Sequence, residues 1–273
     1  NPNFLLEHHG SDKHEYYVSN YMLKADVLIN VPKPKTHRKA GITGALKNLV
    51  GINIRKEYLP HHTMGAVDEG GDEYDKKNWI HSIRSKIWDR LNIASSNEKY
   101  MLAYVYKCVS RLLTFVLIIK GNKYSEGSWY GNRTINHTIV DLNKIVLYAD
   151  KSGTMREIPQ RKIFIVGDMI ISGEKDGPTA PSPKRTGVIV IGDDQLCFDE
   201  AISAVMGFDR NKIPTLTSAR QLTGKYKLTK YQDNVQLCSN IEVFNDKAID
   251  QISYEESFQF QASPGWRGHI ELV

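Results

Sequence analysis

A short apolar run closed by proline sets the strongest limit on how this chain can fold. Residues 25–31 are mostly apolar or β-branched, and Pro32 follows them directly. Such a run predicts a buried β-strand, because branched side chains pack well on a pleated surface. We expect the strand to end at Pro32 and to deliver a loop, where a rigid strand positions chemically active residues.

The pattern downstream predicts an α/β fold. Helical spacing occurs in residues 40–50, 136–149 and 195–206, and strand-like runs occur in residues 162–166 and 187–191. The order of strand, loop and helix is typical of a layered mixed or parallel sheet flanked by helices. Further strand-like runs at 235–238, 241–244 and 257–261 predict a small C-terminal α+β addition.

A chain of 273 residues can hold one large core or two modest ones. We assign residues 1–75 and 121–222 to an α/β core domain, 76–120 to a helical insertion and 223–273 to a C-terminal extension. The chain begins at Asn1 without an initiator Met or a signal peptide. We therefore expect an N-terminal part of the core domain to be missing.

The second half of the helical insertion is strongly apolar, which leaves three interpretations open. Lys107 and Arg111 lie inside its most apolar 20-residue window, and each would cost about 2.5–3.5 kcal/mol at a bilayer centre. We favour a segment that packs in the core or against another helix. Contact with a membrane surface is the second interpretation, and a true span is the third. The expected location is cytoplasmic, with peripheral membrane attachment as the alternative.

Charge and cysteine content exclude some classes of function. The net charge is +5, but Lys and Arg are interspersed with Asp and Glu, so we expect no nucleic-acid partner. Cys108, Cys197 and Cys238 lie far apart and form no CxxC pair. This spacing argues against an iron–sulfur cluster or a Cys-rich zinc site in this chain, and it fits a reducing compartment.

The densest group of polar side chains lies between residues 33 and 73. Pro32 and Pro34 fix the loop backbone, so Lys33, Lys35 and His37 are expected near a helix start, which favours anions. We predict catalytic roles for His37, as an acid/base or metal-binding imidazole, and for Lys47, as a phosphate-binding or nucleophilic amine. The residues predicted to bind a cofactor are Lys33, Lys35, Thr43, Lys47, Asn48, Asp168 and Glu174.

Metal binding is predicted for His61, His62 and Asp72, with at most one of the two adjacent histidines as a direct ligand. The acidic loop from Asp168 to Asp176 could bind a divalent cation or orient the lysines, or its carboxylates could simply support turns. Asp193 and Asp194 are expected to cap the helix that follows them. For His37 and Lys47 the alternative is an exposed place on a solvated loop and helix.

Several long motifs resemble the domain of unknown function 362 family. They are ADVLINVPKPKTH at 25–37, GITGALKNLVG at 41–51 and LPHH at 59–62, followed by GD at 167–168, GEKDGP at 173–178 and MGFD at 206–209. The resemblance covers roughly residues 20 to 220. The family has no generally assigned reaction, so the resemblance implies a fold class more than a function.

The order His37, Lys47 and His61 or His62 is also similar to that in the lactate racemase family, which carries a nickel-pincer nucleotide. That resemblance implies an acid/base role for His37, covalent attachment of the cofactor to Lys47 and nickel ligation by His62 or His61. A second acid/base histidine would lie before Asn1. A divalent metal or phosphate ligand at the same residues is the broader expectation.

These observations predict an enzyme that binds an anionic or polyhydroxylated small molecule with a metal or nucleotide-type cofactor. Racemase- or epimerase-like proton transfer, or hydride transfer, at a hydroxy-acid or sugar-like carbon is the most specific version. The alternative is a non-catalytic phosphate- or ligand-binding accessory protein at a membrane surface. Oligomeric state is not predicted.

Overall fold

The computed structural model describes residues 7–10, 12–121, 126–231 and 235–273. Its α-helices are α1 (Asn20–Lys24), α2 (Ala45–Asn48), α3 (Trp79–Ser96), α4 (Tyr100–Ile119), α5 (Thr134–Tyr148), α6 (Gln195–Met206) and α7 (Pro214–Arg220). Its strands are β1 (Val27–Asn30), β2 (Lys35–His37), β3 (Gly41–Thr43), β4 (Lys162–Asp176), β5 (Ala180–Gly192), β6 (Gln236–Leu237) and β7 (Lys247–Ala248). Short 3-10 helices include Leu49–Ile52 and Glu242–Phe244.

The long strand β4 organises a mixed five-stranded sheet. β5 pairs with one edge of β4 in antiparallel register, and β1 and β2 run parallel to β4 along its other edge. β3 then pairs antiparallel with β2. With helices packed on the sheet and a small antiparallel β6–β7 pair near the C-terminus, the α/β prediction is confirmed.

The main core lies between the sheet and α2, α5 and α6. Its apolar side chains come from both layers and include Ile42, Leu46, Ile139, Ile165 and Ile202. The sheet also exposes large apolar side chains, among them Ile29, Phe164, Ile189 and Ile191. The buried helices therefore cover the sheet only in part.

As expected, β1 ends just before Pro32 and residues 31–34 form a loop, but the strand is not buried, since Val27 and Ile29 are exposed. Beyond Pro32 the chain rejoins the same edge of β4 as β2, and the Asp168 backbone N–H donates to the Pro32 carbonyl at 3.0 Å. Residues 41–43 form β3 rather than the start of a helix, so α2 is only four residues long before it continues as the Leu49–Ile52 turn. The positive φ of Gly41, 78°, allows the sharp reversal between β2 and β3.

The predicted acidic loop from Asp168 to Asp176 is mostly strand. β4 continues through it because both edges find partners, β5 on one side and Lys35 of β2 on the other. The C-terminal region also differs in part from the prediction, since 241–244 contains a 3-10 helix and 257–261 forms no strand. Phe260, Trp266 and Ile270 join the main core, so the C-terminal segment completes the core as well as adding the small sheet.

The helix predicted over 195–206 coincides with α6. Asp194 caps it by accepting hydrogen bonds from the backbone N–H groups of Leu196 and Cys197, and Gly207 ends it in the left-handed conformation. Asp193, also expected to cap, instead pairs with Lys230 at 2.7 Å. Residues 76–120 are helical as predicted, but they form two helices, α3 and α4, that pack against each other.

Candidate functional site

His37, Lys47 and His61 share one electrostatic environment. Burial, followed by the charges of Lys47 and His61, holds the pKa of His37 well below its usual range. Burial and the charges of Lys39 and Lys47 lower the pKa of His61 to about 4. Because these shifts require proximity, the fold brings together an imidazole, an ammonium group and a second imidazole that are distant in sequence.

His37 is positioned by the turn between β2 and β3. Its Nδ1 accepts hydrogen bonds from the backbone N–H groups of Lys39 and Ala40, each at 3.1 Å. Since Nδ1 serves as an acceptor, a neutral ring must carry its proton on Nε2. The buried His37 side chain therefore offers an N–H donor through Nε2, whereas protonation or metal binding at Nδ1 would break two hydrogen bonds.

Lys47 lies on α2, and α6 holds the start of that helix. The Asp199 carboxylate accepts from the backbone N–H groups of Ala45 at 2.5 Å and Leu46 at 3.0 Å. A helix of four residues forms too few internal hydrogen bonds to be stable alone. The orientation of Lys47 therefore depends on this tertiary cap.

A network of side-chain amides, buried except for Asn48, also holds α2. Asn48 donates to Asn30 at 2.7 Å, and Asn30 donates to the Ala45 carbonyl at 2.9 Å and to Gln195 at 3.0 Å. Gln195 donates to Asn143, which donates to the Leu46 carbonyl at 2.9 Å. Asn48, predicted to bind a cofactor, is thus one end of a network that fixes the Lys47 helix.

Lys47 itself carries a charge without an anionic neighbour. Burial, then the charges of Lys35 and Lys39, lowers the pKa of Lys47 to about 8. The pKa of Lys35 is lowered by burial and by Lys33. Within the described ranges, no carboxylate lies within ion-pair distance of Lys35, Lys39 or Lys47. The three lysines therefore form a cationic cluster without an ion pair, in which the nearby carboxylates of Glu126, Glu73 and Asp72 act on Lys39 alone.

Two further residues border this cationic cluster. Thr43 pairs with Lys35 across the β2–β3 ladder, and its buried hydroxyl has no hydrogen-bond partner in the part of the chain described. Lys39, which the sequence analysis missed, lies with its Nζ 3.5 Å from Nδ1 of His62. Burial lowers the pKa of Lys39, while the nearby carboxylate of Glu126 opposes that shift. No spacing rule pointed to Lys39, since its position depends on the turn between β2 and β3 in which it lies.

The predicted metal ligands are held by other partners. Asp72 accepts from the backbone N–H groups of Thr63, Arg133 and Thr134 and from the Thr134 hydroxyl, so it caps α5. His61 Nδ1 lies 3.0 Å from the Leu59 carbonyl oxygen. Burial and Lys39 lower the pKa of His62 to about 3. Across residues 7–10, 12–121, 126–231 and 235–273, no three His, Cys, Asp or Glu side chains are grouped to hold a metal ion.

The remaining predicted cofactor residues lie at the edges of this region. Lys33 pairs with Asp168 at 2.7 Å, and both side chains are largely exposed. Glu174 is buried and accepts from the Gln261 backbone N–H at 3.0 Å. Glu174 thus anchors the C-terminal segment, and Asp168 neutralises the outermost lysine of the series.

Comparison with known proteins identifies the family. The profile of the family described as Domain of unknown function (DUF362) matches residues 5–204. The chain belongs to the DUF362 family. This match confirms the first resemblance seen in the sequence, and it includes the His37 and Lys47 motifs together with Asp199. No curated protein and no solved structure matches the chain, so the similarity to lactate racemase has no counterpart among these findings.

Proposed function

We propose that this DUF362 protein binds an anionic small molecule at the lysine cluster around Lys47 and acts on it by proton transfer. The observation that carries the proposal is the charge imbalance at Lys47, whose charged neighbours are two further lysines. Partial burial of an ammonium group without a counterion is unfavourable. A ligand carboxylate or phosphate would supply the missing charge, and its oxygens could also accept from the Thr43 hydroxyl.

His37 and Lys47 suit complementary chemical roles. A neutral His37 with its proton on Nε2 can donate a hydrogen bond to a ligand oxygen and stabilise negative charge that develops there. Lys47, with a pKa of about 8, has a useful fraction of free amine near neutral pH. With the anionic group of the ligand held by Lys35 and Lys39, this free amine can accept a proton or attack a carbonyl. A 2-hydroxy acid or a sugar acid, with its anionic group on the lysines, is the substrate class that we favour.

A metal centre built only from protein side chains does not fit the donor geometry. Asp72 already accepts four hydrogen bonds, and Nδ1 of His37 accepts two. We therefore derive no step through a metal or through a pincer nucleotide. The proposal rests on the amine, the imidazole N–H and the cationic surroundings alone.

The first test is binding of simple anions. Inorganic phosphate, D-lactate and L-lactate are titrated separately by calorimetry against the wild-type chain, Lys47→Met and Lys151→Met. Lys151 is an exposed lysine paired with Asp26, so it provides a matched control for the loss of one positive charge. We expect at least one anion to bind the wild type and Lys151→Met, and to bind Lys47→Met at least about tenfold more weakly. Equal binding by all three proteins would contradict the proposal.

A second measurement separates an enzyme from a binding protein. Proton transfer at carbon is followed by NMR as the incorporation of solvent deuterium at C2 of the lactates. Incorporation that is lost in Lys47→Met supports the enzyme. Anion binding without exchange of that hydrogen supports the alternative, a ligand-binding accessory protein that uses the same lysine cluster.

A further inference from the structure

Helix α4 is apolar along its length, and most of its surface is exposed. Among the described residues it is the one helix long and apolar enough to cross a membrane by length and composition, with a mean hydropathy of 1.7. Only 17% of that window is buried. Of the favoured sequence interpretation, a segment packed in the core or against another helix, the second form applies: α4 packs on its neighbour α3 and is not a core helix.

The buried and exposed residues of α4 lie on opposite sides of the helix. Ala103, Ser110 and Leu117 are buried and recur every seven residues, so they form a narrow seam. The opposite side, at the spacing of a helical face, carries a second set that we term the outer stripe: Met101, Val105, Cys108, Leu112, Phe115 and Ile119. All six are exposed, Met101 to 85%.

Helices α3 and α4 form a hairpin that carries a large excess of positive charge. Residues 76–120 contain nine Lys or Arg and two Asp or Glu, a net charge of 9 − 2 = +7 compared with +5 for the whole chain. α4 itself contains no acidic residue. Its two cations, Lys107 and Arg111, are exposed and lie four residues apart, so both border the same flank of the outer stripe. The hairpin therefore combines an apolar face with a cationic border.

We propose that the α3–α4 hairpin docks on an anionic lipid bilayer, with α4 lying in the plane of the interface and the outer stripe among the acyl chains. Long cationic side chains beside an apolar stripe can extend to lipid headgroups. A transverse orientation would place Lys107 and Arg111 near the bilayer centre, at a cost of about 2.5–3.5 kcal/mol each. Docking of two such hairpins on each other would bring like charges together, which disfavours a second copy as the occupant.

The α3–α4 hairpin is linked to the candidate site by the ion pair between Arg84 and Glu126. Arg84 of α3 forms an ion pair with Glu126 at 2.5 Å and donates to the Thr114 hydroxyl of α4 at 2.8 Å. The charge of Glu126 acts in turn on His62 and Lys39. Docking would therefore tether the lysine cluster to the bilayer through the Arg84–Glu126 ion pair.

Vesicle flotation tests the proposal. The wild-type chain is mixed with vesicles of phosphatidylcholine alone or with about 30% phosphatidylglycerol, a composition chosen to supply negative charge. We expect binding to the anionic vesicles, weakened by salt. Leu112→Ser/Phe115→Ser should bind about 100-fold more weakly, because it removes two apolar anchors. Lys107→Gln/Arg111→Gln should bind anionic vesicles about 30-fold more weakly.

The control removes apolar surface elsewhere. Ile189→Ser/Ile191→Ser alters two exposed side chains of β5 and should bind like the wild type. Circular dichroism establishes that each variant is folded. If Leu112→Ser/Phe115→Ser fails to fold, Lys107→Gln/Arg111→Gln still tests the proposal, because it leaves the outer stripe unchanged. No wild-type flotation, equal loss in the β5 control, or a dimer that the Leu112→Ser/Phe115→Ser change dissociates would overturn the proposal.

Discussion

Asp199 of α6 accepts a hydrogen bond from the backbone N–H of Ala45, the first residue of α2, at 2.5 Å. A second bond from Leu46 makes this carboxylate the cap of the helix that carries Lys47. Burial outweighs these two bonds and raises the pKa of Asp199 to about 7, from an ordinary value of 3.8. The cap of the candidate site is therefore itself sensitive to pH.

The first prediction concerns stability between pH 5 and pH 7. In this window the folded chain holds a proton on Asp199 that the unfolded chain has released. The stabilisation that this proton provides is therefore full below about pH 4 and is lost as pH rises through about 7. Relative to Asp199→Asn, the wild type should lose about 2–3 kcal/mol of unfolding free energy between pH 5 and pH 7. Urea unfolding of both proteins at each pH measures this change. A constant difference would mean that Asp199 is ionised throughout.

The second prediction concerns the space between Gly44 and Asp199. A Cβ on Gly44 would lie 2.1 Å from Oδ1 of Asp199, whereas a Cβ on Gly51 would meet no atom within 4 Å. Gly44→Ala should therefore lower the unfolding free energy by about 2–4 kcal/mol. The matched control, Gly51→Ala, should change it by less than about 1 kcal/mol. If chemical denaturation gave the same loss of unfolding free energy for both variants, Asp199 of α6 would not be in close contact with Gly44 at the start of α2.

The sequence predicts best where a local pattern decides the structure. α6 coincides with its prediction because Asp194 and Gly207 are local signals for a helix start and end. The family resemblance was likewise carried by contiguous motifs and is confirmed. Pro32 likewise marked the end of β1 correctly, but it gave no sign that the chain returns to the sheet as β2 at Lys35.

The parts of the site that could not be predicted depend on contacts between distant segments. The roles of Asn30, Asn143 and Gln195 arise from a network joining β1, α5 and α6, and no residue spacing encodes it. Asp72 was predicted as a metal ligand, but its acceptor bonds to residues 133 and 134 exist only in the folded chain. Residue type alone predicts which chemical roles a side chain could take. Tertiary structure determines which side chains are already held by hydrogen bonds and which can still bind a ligand.

The third prediction distinguishes the two nitrogens of His37. Asparagine can replace the Nδ1 acceptor that receives the Lys39 and Ala40 N–H groups, but it provides no donor at the Nε2 position. Glutamine can provide a donor at the Nε2 position, but it lacks the acceptor at the Nδ1 position. We expect His37→Asn to retain most of the stability and to lose anion binding at least about tenfold. His37→Gln should be the less stable protein and the better binder.

Nitrogen NMR provides the control for that comparison. Long-range proton–nitrogen spectra of the wild type should show His37 as the neutral tautomer protonated on Nε2 from pH 5 to pH 8, because its pKa lies well below the usual range. Titration of His37 within this window would contradict the assigned role of a neutral donor. Stronger anion binding by the asparagine variant than by the glutamine variant would contradict it independently.

The last prediction concerns the conflict between stability and function at Lys47. Its pKa is about 8 in the folded chain compared with an ordinary 10.5, so the unfolded chain binds this proton more tightly than the folded chain does. The resulting cost to stability is full below about pH 8 and disappears as pH rises towards 10.5. Lys47→Met keeps most of the apolar stem and removes the charge. It should raise the unfolding free energy at pH 7 by about 1–3 kcal/mol while it abolishes anion binding.

Lys151→Met, at an exposed site, should change stability by less than about 0.5 kcal/mol. Competitive acetylation followed by peptide mass spectrometry provides an independent readout, since an amine with a pKa of about 8 is far more reactive at neutral pH than an ordinary lysine. Lys47 should be modified ahead of Lys151 in the free protein and protected when the anion is bound. A destabilised Lys47→Met protein, or a Lys47 no more reactive than Lys151, would mean that the cationic cluster is already neutralised and needs no ligand.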